Sequence, residues 1–180
     1  MILKHGGFLM KYAICIFPSK EIQDAANAYR KRYDPQFPYI APHITLKYRF
    51  DMDDTLRDTI VEELRKIAQN TKPFTINITK VGTFAPVTNT VYLKVTPIPE
   101  LVQLHEQMHS GKFPEESPYP FGPHVTIAQE LTNDEYSDIY GSLQMKEVSF
   151  EDKIENFSLV KQAEDGTWEV YETFTFGKEG

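Results

Sequence analysis

At 180 residues the chain can bury one substantial core, or two small lobes that share a sheet. Its 41% apolar and 25% charged composition is that of a folded globular protein and excludes a disordered one. A net charge of −7 argues against a partner such as duplex DNA, whose binding needs many cations on phosphates, yet leaves room for a local basic pocket holding one small anion.

Residues 1–10 read as a dispensable extension, with Gly6 and Gly7 standing where a signal peptide needs an unbroken apolar run. The folded domain is expected over 11–177. Residues 12–17 form a short apolar, β-branched run closed by Pro18, the pattern of a buried strand. Within it lies the one cysteine, Cys15, which has no partner for an internal disulfide; this points to a reducing, cytoplasmic setting and a buried structural thiol. Ser19 is placed to cap a helix over 20–32, with Ile22, Ala25, Ala26 and Tyr29 on one face. The cations Arg30, Lys31 and Arg32 read as its charged end, complementing the helix dipole.

A Pro-rich loop at 35–42 leads to a strand over 43–50 that alternates strictly between polar and apolar residues. A helix follows over 55–69 with Leu56, Ile60, Leu64 and Ile67 as its stripe, then strands at 74–81 and 90–95. The same order returns in a helix near 100–109, a Pro/Gly-rich loop at 111–123, a strand at 124–127, a helix near 134–144, and strands at 154–161 and 167–176. Matching order and spacing argue for two similar α/β lobes. No segment approaches the length of a membrane-spanning helix, so no membrane partner is expected.

The two lobes carry one motif twice. Pro42-His43-Ile44-Thr45-Leu46 and Pro123-His124-Val125-Thr126-Ile127 both read Pro, His, aliphatic, Thr, aliphatic. Two such pentamers arise by chance in about one chain in 10⁵ at this composition. In a strand, residues two apart share a face, so His43 and Thr45 point one way while Ile44 and Leu46 enter the core; His124 and Thr126 do the same. Packed about a pseudo-twofold axis, the polar faces would surround one small anion. A neutral imidazole can activate water while a protonated one donates to a departing sugar oxygen, and opening a cyclic phosphate needs both. Threonine hydroxyls can stabilise the non-bridging oxygens, and the scheme demands no metal or other cofactor.

Further candidates for substrate binding follow from alternation. Lys47 and Arg49 should lie on the side of Thr45, Tyr92 and Lys94 should share the polar face of their strand, and Tyr171 should hold the analogous place in the second lobe. Phe84 is a weaker stacking candidate. A competing motif, His105-Glu106-Gln107-Met108-His109, matches the H-E-x-x-H pattern of zinc hydrolases. Its helix ends at once at Ser110-Gly111, Lys112 and Glu115 break the longer metalloprotease pattern, and Leu101, Leu104 and Met108 mark a buried stripe, so it reads as coincidence.

The chain resembles the two-histidine phosphoesterase superfamily, which includes RNA 2′,3′-cyclic phosphodiesterases and the bacterial "2′-5′ RNA ligase" proteins. Within it, the small YjcG-like phosphoesterases are most similar, down to Pro18-Ser19-Lys20 and Tyr29-Arg30-Lys31-Arg32-Tyr33. The resemblance spans about 11–177. It implies a bilobal α+β fold with antiparallel sheets and a central groove, with the catalytic roles on His43, Thr45, His124 and Thr126. The expected activity is metal-independent hydrolysis of a cyclic phosphodiester, a 2′,3′-cyclic nucleotide or RNA end. A non-catalytic binder of phosphorylated RNA ends or nucleotides stands as the alternative.

Overall fold

A computed structural model describes residues 3–4, 7–114 and 120–178. In chain order its elements are β1 (Leu3–Lys4), β2 (Gly7–Phe8), β3 (Met10–Ile16), α1 (Lys20–Tyr33), β4 (Ile44–Met52), α2 (Asp54–Gln69), β5 (Phe74–Thr83), β6 (Val91–Val95), α3 (Pro99–Gln107), β7 (His124–Ala128), α4 (Asn133–Gln144), β8 (Phe150–Ile154), β9 (Asn156–Gln162) and β10 (Trp168–Thr175). Eight strands form one curled antiparallel sheet in the order β10-β9-β3-β4-β7-β6-β5-β8, and β1 pairs with β2 as a separate hairpin. Of the proposed extension, residues 1, 2, 5 and 6 lie outside the described residues, while Met10 already belongs to β3, opposite Met52.

Local chemistry sets the helix starts. Asp53 caps α2 by accepting from the Leu56 amide at 2.8 Å, and Thr132 with Glu135 closes a reciprocal capping box on α4. Pro99 opens α3 at a position where no amide is needed. At α1 the Ser19 side chain makes no cap; the Ser19 amide instead donates to Asp152 Oδ2 at 2.8 Å. The α2 stripe buries Ile60, Val61, Leu64 and Ala68, and truncating Leu64 to Ala would cost about 2–5 kcal/mol. On α1 the buried positions are Ile22, Ala26 and Arg30, a spacing of four that carries the guanidinium into the core.

The two halves of the chain do not build one lobe each. β5 and β6, from the first half, extend the sheet beside β7, while β9 and β10, from the second, extend it beside β3. The repeating unit is therefore β-α-β-α-β, as β3-α1-β4-α2-β5 and again as β6-α3-β7-α4-β9 with the edge strand β8 intervening before β9, and with last strands exchanged. Sequence spacing from each histidine aligns Tyr92 with Tyr171; the sheet instead aligns β6 with β3. The strand expected over 154–161 is divided at Glu155, β8 pairing with β5 and β9 with β3. Helices α1 and α3 also cross over, α1 packing on β7 and α3 on β4.

At the centre of the sheet β4 meets β7 with Ile44 opposite Val125. Both side chains are buried, as are Leu46 and Ile127 two places on, so the alternate positions face the opposite side together. That register sets the site.

Candidate active site

With Ile44 level with Val125 in an antiparallel pair, His43 stands level with Thr126 and Thr45 with His124. The neighbouring strands extend these rows. Cys15 lies opposite Thr45, Lys94 opposite His124, Tyr92 opposite Thr126, and Gly82 opposite Tyr92. The two histidines are thus diagonal neighbours across one strand pair, a relation that places backbones about 7–8 Å apart and lets both rings reach one phosphate-sized group.

Each ring is oriented by its own strand entry. His43 Nδ1 lies 2.8 Å from the Ala41 carbonyl and His124 Nδ1 lies 2.7 Å from the Gly122 carbonyl, two residues back in both cases. A carbonyl oxygen only accepts, so both rings donate from Nδ1 and keep Nε2 as the basic atom of the neutral form. The rings keep an open edge, yet they sit on the floor of a groove walled by protein. Burial lowers the His43 pKa below 6.5; the Arg30 and His124 charges lower it further, against the Ala41 carbonyl and Asp34. Burial also lowers His124, against the Gly122 carbonyl.

The surroundings differ. His43, Thr45 and Thr126 open onto a cavity of about 500 Å³ whose wall includes Arg30, Asp34 and Gln129. His124 opens onto a second cavity of about 510 Å³, walled by Phe84, Val87, His105 and Phe121, and Thr45 and Tyr48 line both. The His124 ring is 5.0 Å from Tyr92 and 5.2 Å from Phe84, which meets it edge-on. Gly82 makes that cluster possible, because a Cβ there would stand 2.5 Å from the Tyr92 ring.

The remaining predicted residues are distributed unevenly. Arg49 lines the cavity onto which His43 opens. Lys47 does not follow Thr45, because the β3–β4 register slips between the Ile14–Lys47 and Cys15–Thr45 pairs. It is buried instead, its ammonium 5.3 Å from the Phe50 ring and 5.9 Å from that of Phe113, and the slip brings Tyr48 to the groove. Tyr171 also lies elsewhere. It falls in a β9–β10 bulge, packs edge-on to the buried Tyr12 at 6.1 Å, and carries Arg57 of α2 over its ring at 5.1 Å, so it faces the helix side.

Two other candidates resolve similarly. His105 and His109 stack face to face at 4.1 Å, and His105 stacks on Phe121 at 4.0 Å, so the pair forms a ring ladder. Burial, with His109 and Lys47 nearby, brings the His105 pKa down to about 4. Among the described residues no group of three or more His, Cys, Asp or Glu could hold a metal ion; Glu115 lies outside them. Cys15 is buried, and burial pushes its thiol pKa up to about 12, which leaves no thiolate at neutral pH.

A pseudo-symmetric sheet that joins two His-x-Thr strands at its midline defines a two-histidine phosphoesterase. The 2′-5′ RNA ligase superfamily profile matches residues 18–166, and the chain belongs to that superfamily. A protein of Oceanobacillus iheyensis named "Putative phosphoesterase OB1230" is 54% identical over 170 residues, covering 94% of this chain and 100% of its own. A similarly named protein of Bacillus licheniformis is 48% identical over 168 residues, covering 93% and 99%. Among solved structures, E. coli LigT complexed with 3′-AMP superposes with a TM-score of 0.73 at 16% identity, covering 95% of this chain and 100% of that one. The Thermus thermophilus protein TT0787 superposes at 0.71 and 18% identity, with the same coverage. No described helix is long and apolar enough to cross a membrane.

Proposed function

We propose that this chain hydrolyses a cyclic phosphodiester, a 2′,3′-cyclic nucleotide or RNA end, by metal-independent acid–base catalysis between His43 and His124. The observation that carries this reading is the shared tautomer. Both rings donate from Nδ1 to a backbone carbonyl and keep Nε2 as the basic nitrogen, on diagonal positions of one strand pair. One neutral Nε2 takes a proton from water as its oxygen bonds to phosphorus. The other ring, protonated when the anionic phosphate is bound, gives a proton to the sugar oxygen as the phosphorus–oxygen bond breaks. Thr45 and Thr126 stand between the rings and donate to the non-bridging oxygens. Arg49 adds positive charge at the polar rim, and Tyr92 offers a ring beside His124.

That E. coli LigT has been solved with 3′-AMP, ATP and NADP+ supports a nucleotide-type ligand for the same fold. A cytoplasmic setting fits the lone buried cysteine. The purified chain, supplied with a 2′,3′-cyclic nucleotide and excess chelator, should yield the 2′- or 3′-monophosphate. His43→Ala and His124→Ala should each lower the rate of product formation by about 10²–10⁴-fold. Turnover at the wild-type rate in both variants, or turnover that requires added metal, would overturn the assignment.

A further inference from the structure

We infer that Arg30 and Asp34 are positioning residues for His43, holding the strand entry whose carbonyl orients its ring. Arg30 is 2% exposed, although it stands in the last turn of α1. Its guanidinium spends three donors on separate partners. Nε reaches Asp34 Oδ2 at 3.2 Å, Nη1 reaches Asn27 Oδ1 at 2.7 Å, and Nη2 reaches the Ile40 carbonyl at 2.6 Å. Ile40 immediately precedes Ala41, whose carbonyl accepts from His43 Nδ1. The planar fork thus fixes the peptide that fixes the imidazole.

Asp34 ties the same unit to the other catalytic strand. Its Oδ1 accepts from the Gln36 amide and from Gln129 Nε2, both at 2.8 Å. Gln129 follows β7 directly, and its amide donates to the Tyr33 carbonyl at 3.0 Å. One buried ion pair therefore holds the approach to His43 and the exit of the Thr126 strand against the end of α1. A buried pair adds little net stability over apolar residues of similar volume, because desolvation offsets the attraction. What apolar residues cannot reproduce is a set of directional bonds aimed at Ile40, Gln36 and Gln129. Among the described contacts of His124, the Phe84 and Tyr92 rings take the place of such a network.

The test separates positioning from mere stability. Arg30→Met strands the Asp34 charge and should lower Tm; Arg30→Met with Asp34→Leu should recover most of that Tm. On the activity proposed above, on which this arm rests, kcat for the double variant should stay about 10²-fold down with KM little changed, as expected for a ring displaced by about an ångström. Arg30→Lys keeps the charge beside Asp34 without the fork, so it folds and should show the same kcat loss. A second readout needs no turnover. In ¹⁵N spectra of the histidine side chains, the protonated Nδ1 signal of His43 should lose its protection in the double and Arg30→Lys variants, while that of His124 stays unchanged. Recovery of kcat together with Tm, or an unmoved His43 signal, would reduce Arg30 and Asp34 to structural residues. A wild-type protein without turnover would remove the proposed activity and leave the ¹⁵N result to judge this inference alone.

Discussion

His43 and His124 occupy equivalent places on equivalent strands, and their backbones treat them alike, yet their neighbourhoods share almost nothing. One ring is approached by a buried ion pair and opens on the more polar of the two cavities; the other is packed among Phe84 and Tyr92 and opens on the more apolar one. Backbone symmetry presents two imidazoles in the same tautomer on one face of the sheet. For the activity proposed above, asymmetric surroundings would let the two rings do different work, since an acid and a base with identical environments would compete for one proton. Arg30 disfavours a second positive charge on His43, whereas no cation stands among the groups that shift His124.

The largest effects should come from breaking what the halves share. Replacing either histidine by alanine should reduce kcat by about 10²–10⁴-fold, measured as product release from a 2′,3′-cyclic nucleotide. Thr45→Val and Thr126→Val should each cost about 10²-fold in kcat, and near-equal losses would sharpen the symmetry. Substitutions on one side should cost less and differ in kind. Gly82→Ala pushes a methyl into the Tyr92 ring, so it should lower stability by about 1–3 kcal/mol and disturb the His124 signals before those of His43. Thermal melts against pH give a smaller effect with a definite sign. Both histidines have folded pKa values below 6.5, so the unfolded chain binds more protons as pH falls through 6.5. The stability they contribute is complete above that pH and is lost below it, and His43→Gln should flatten part of the slope. Tyr171→Leu, on the helix side, should leave kcat within about twofold of wild type.

Much of this site is legible in the sequence because a strand's period of two converts His-x-Thr directly into a shared face, and the paired pentamers locate both halves. Tyr92 and Arg49 follow from the same alternation. It fails where backbone regularity fails. The β3–β4 slip turns Lys47 inward, and no local pattern announces such a slip. Tyr171 is misplaced when the repeat is framed from each histidine forward, because the sheet pairs each His-x-Thr strand with the strand of its own unit that precedes it. Arg30 is readable in principle. Ile22, Ala26 and Arg30 stand four apart, and taking the cations at 30–32 as one solvated cluster conceals the residue that continues the buried stripe. Asp34 and Gln129, 95 positions apart, meet only through the crossing of α1 onto β7, which no local signal encodes.

The pH dependence of kcat/KM reaches the central claim most directly, because it reports base and acid as separate limbs of one profile. The expected result is a bell for the wild-type chain, with the residual activity of His43→Ala lacking one limb and that of His124→Ala lacking the other. A bell that persists unchanged in both variants would mean that the protons move through other groups.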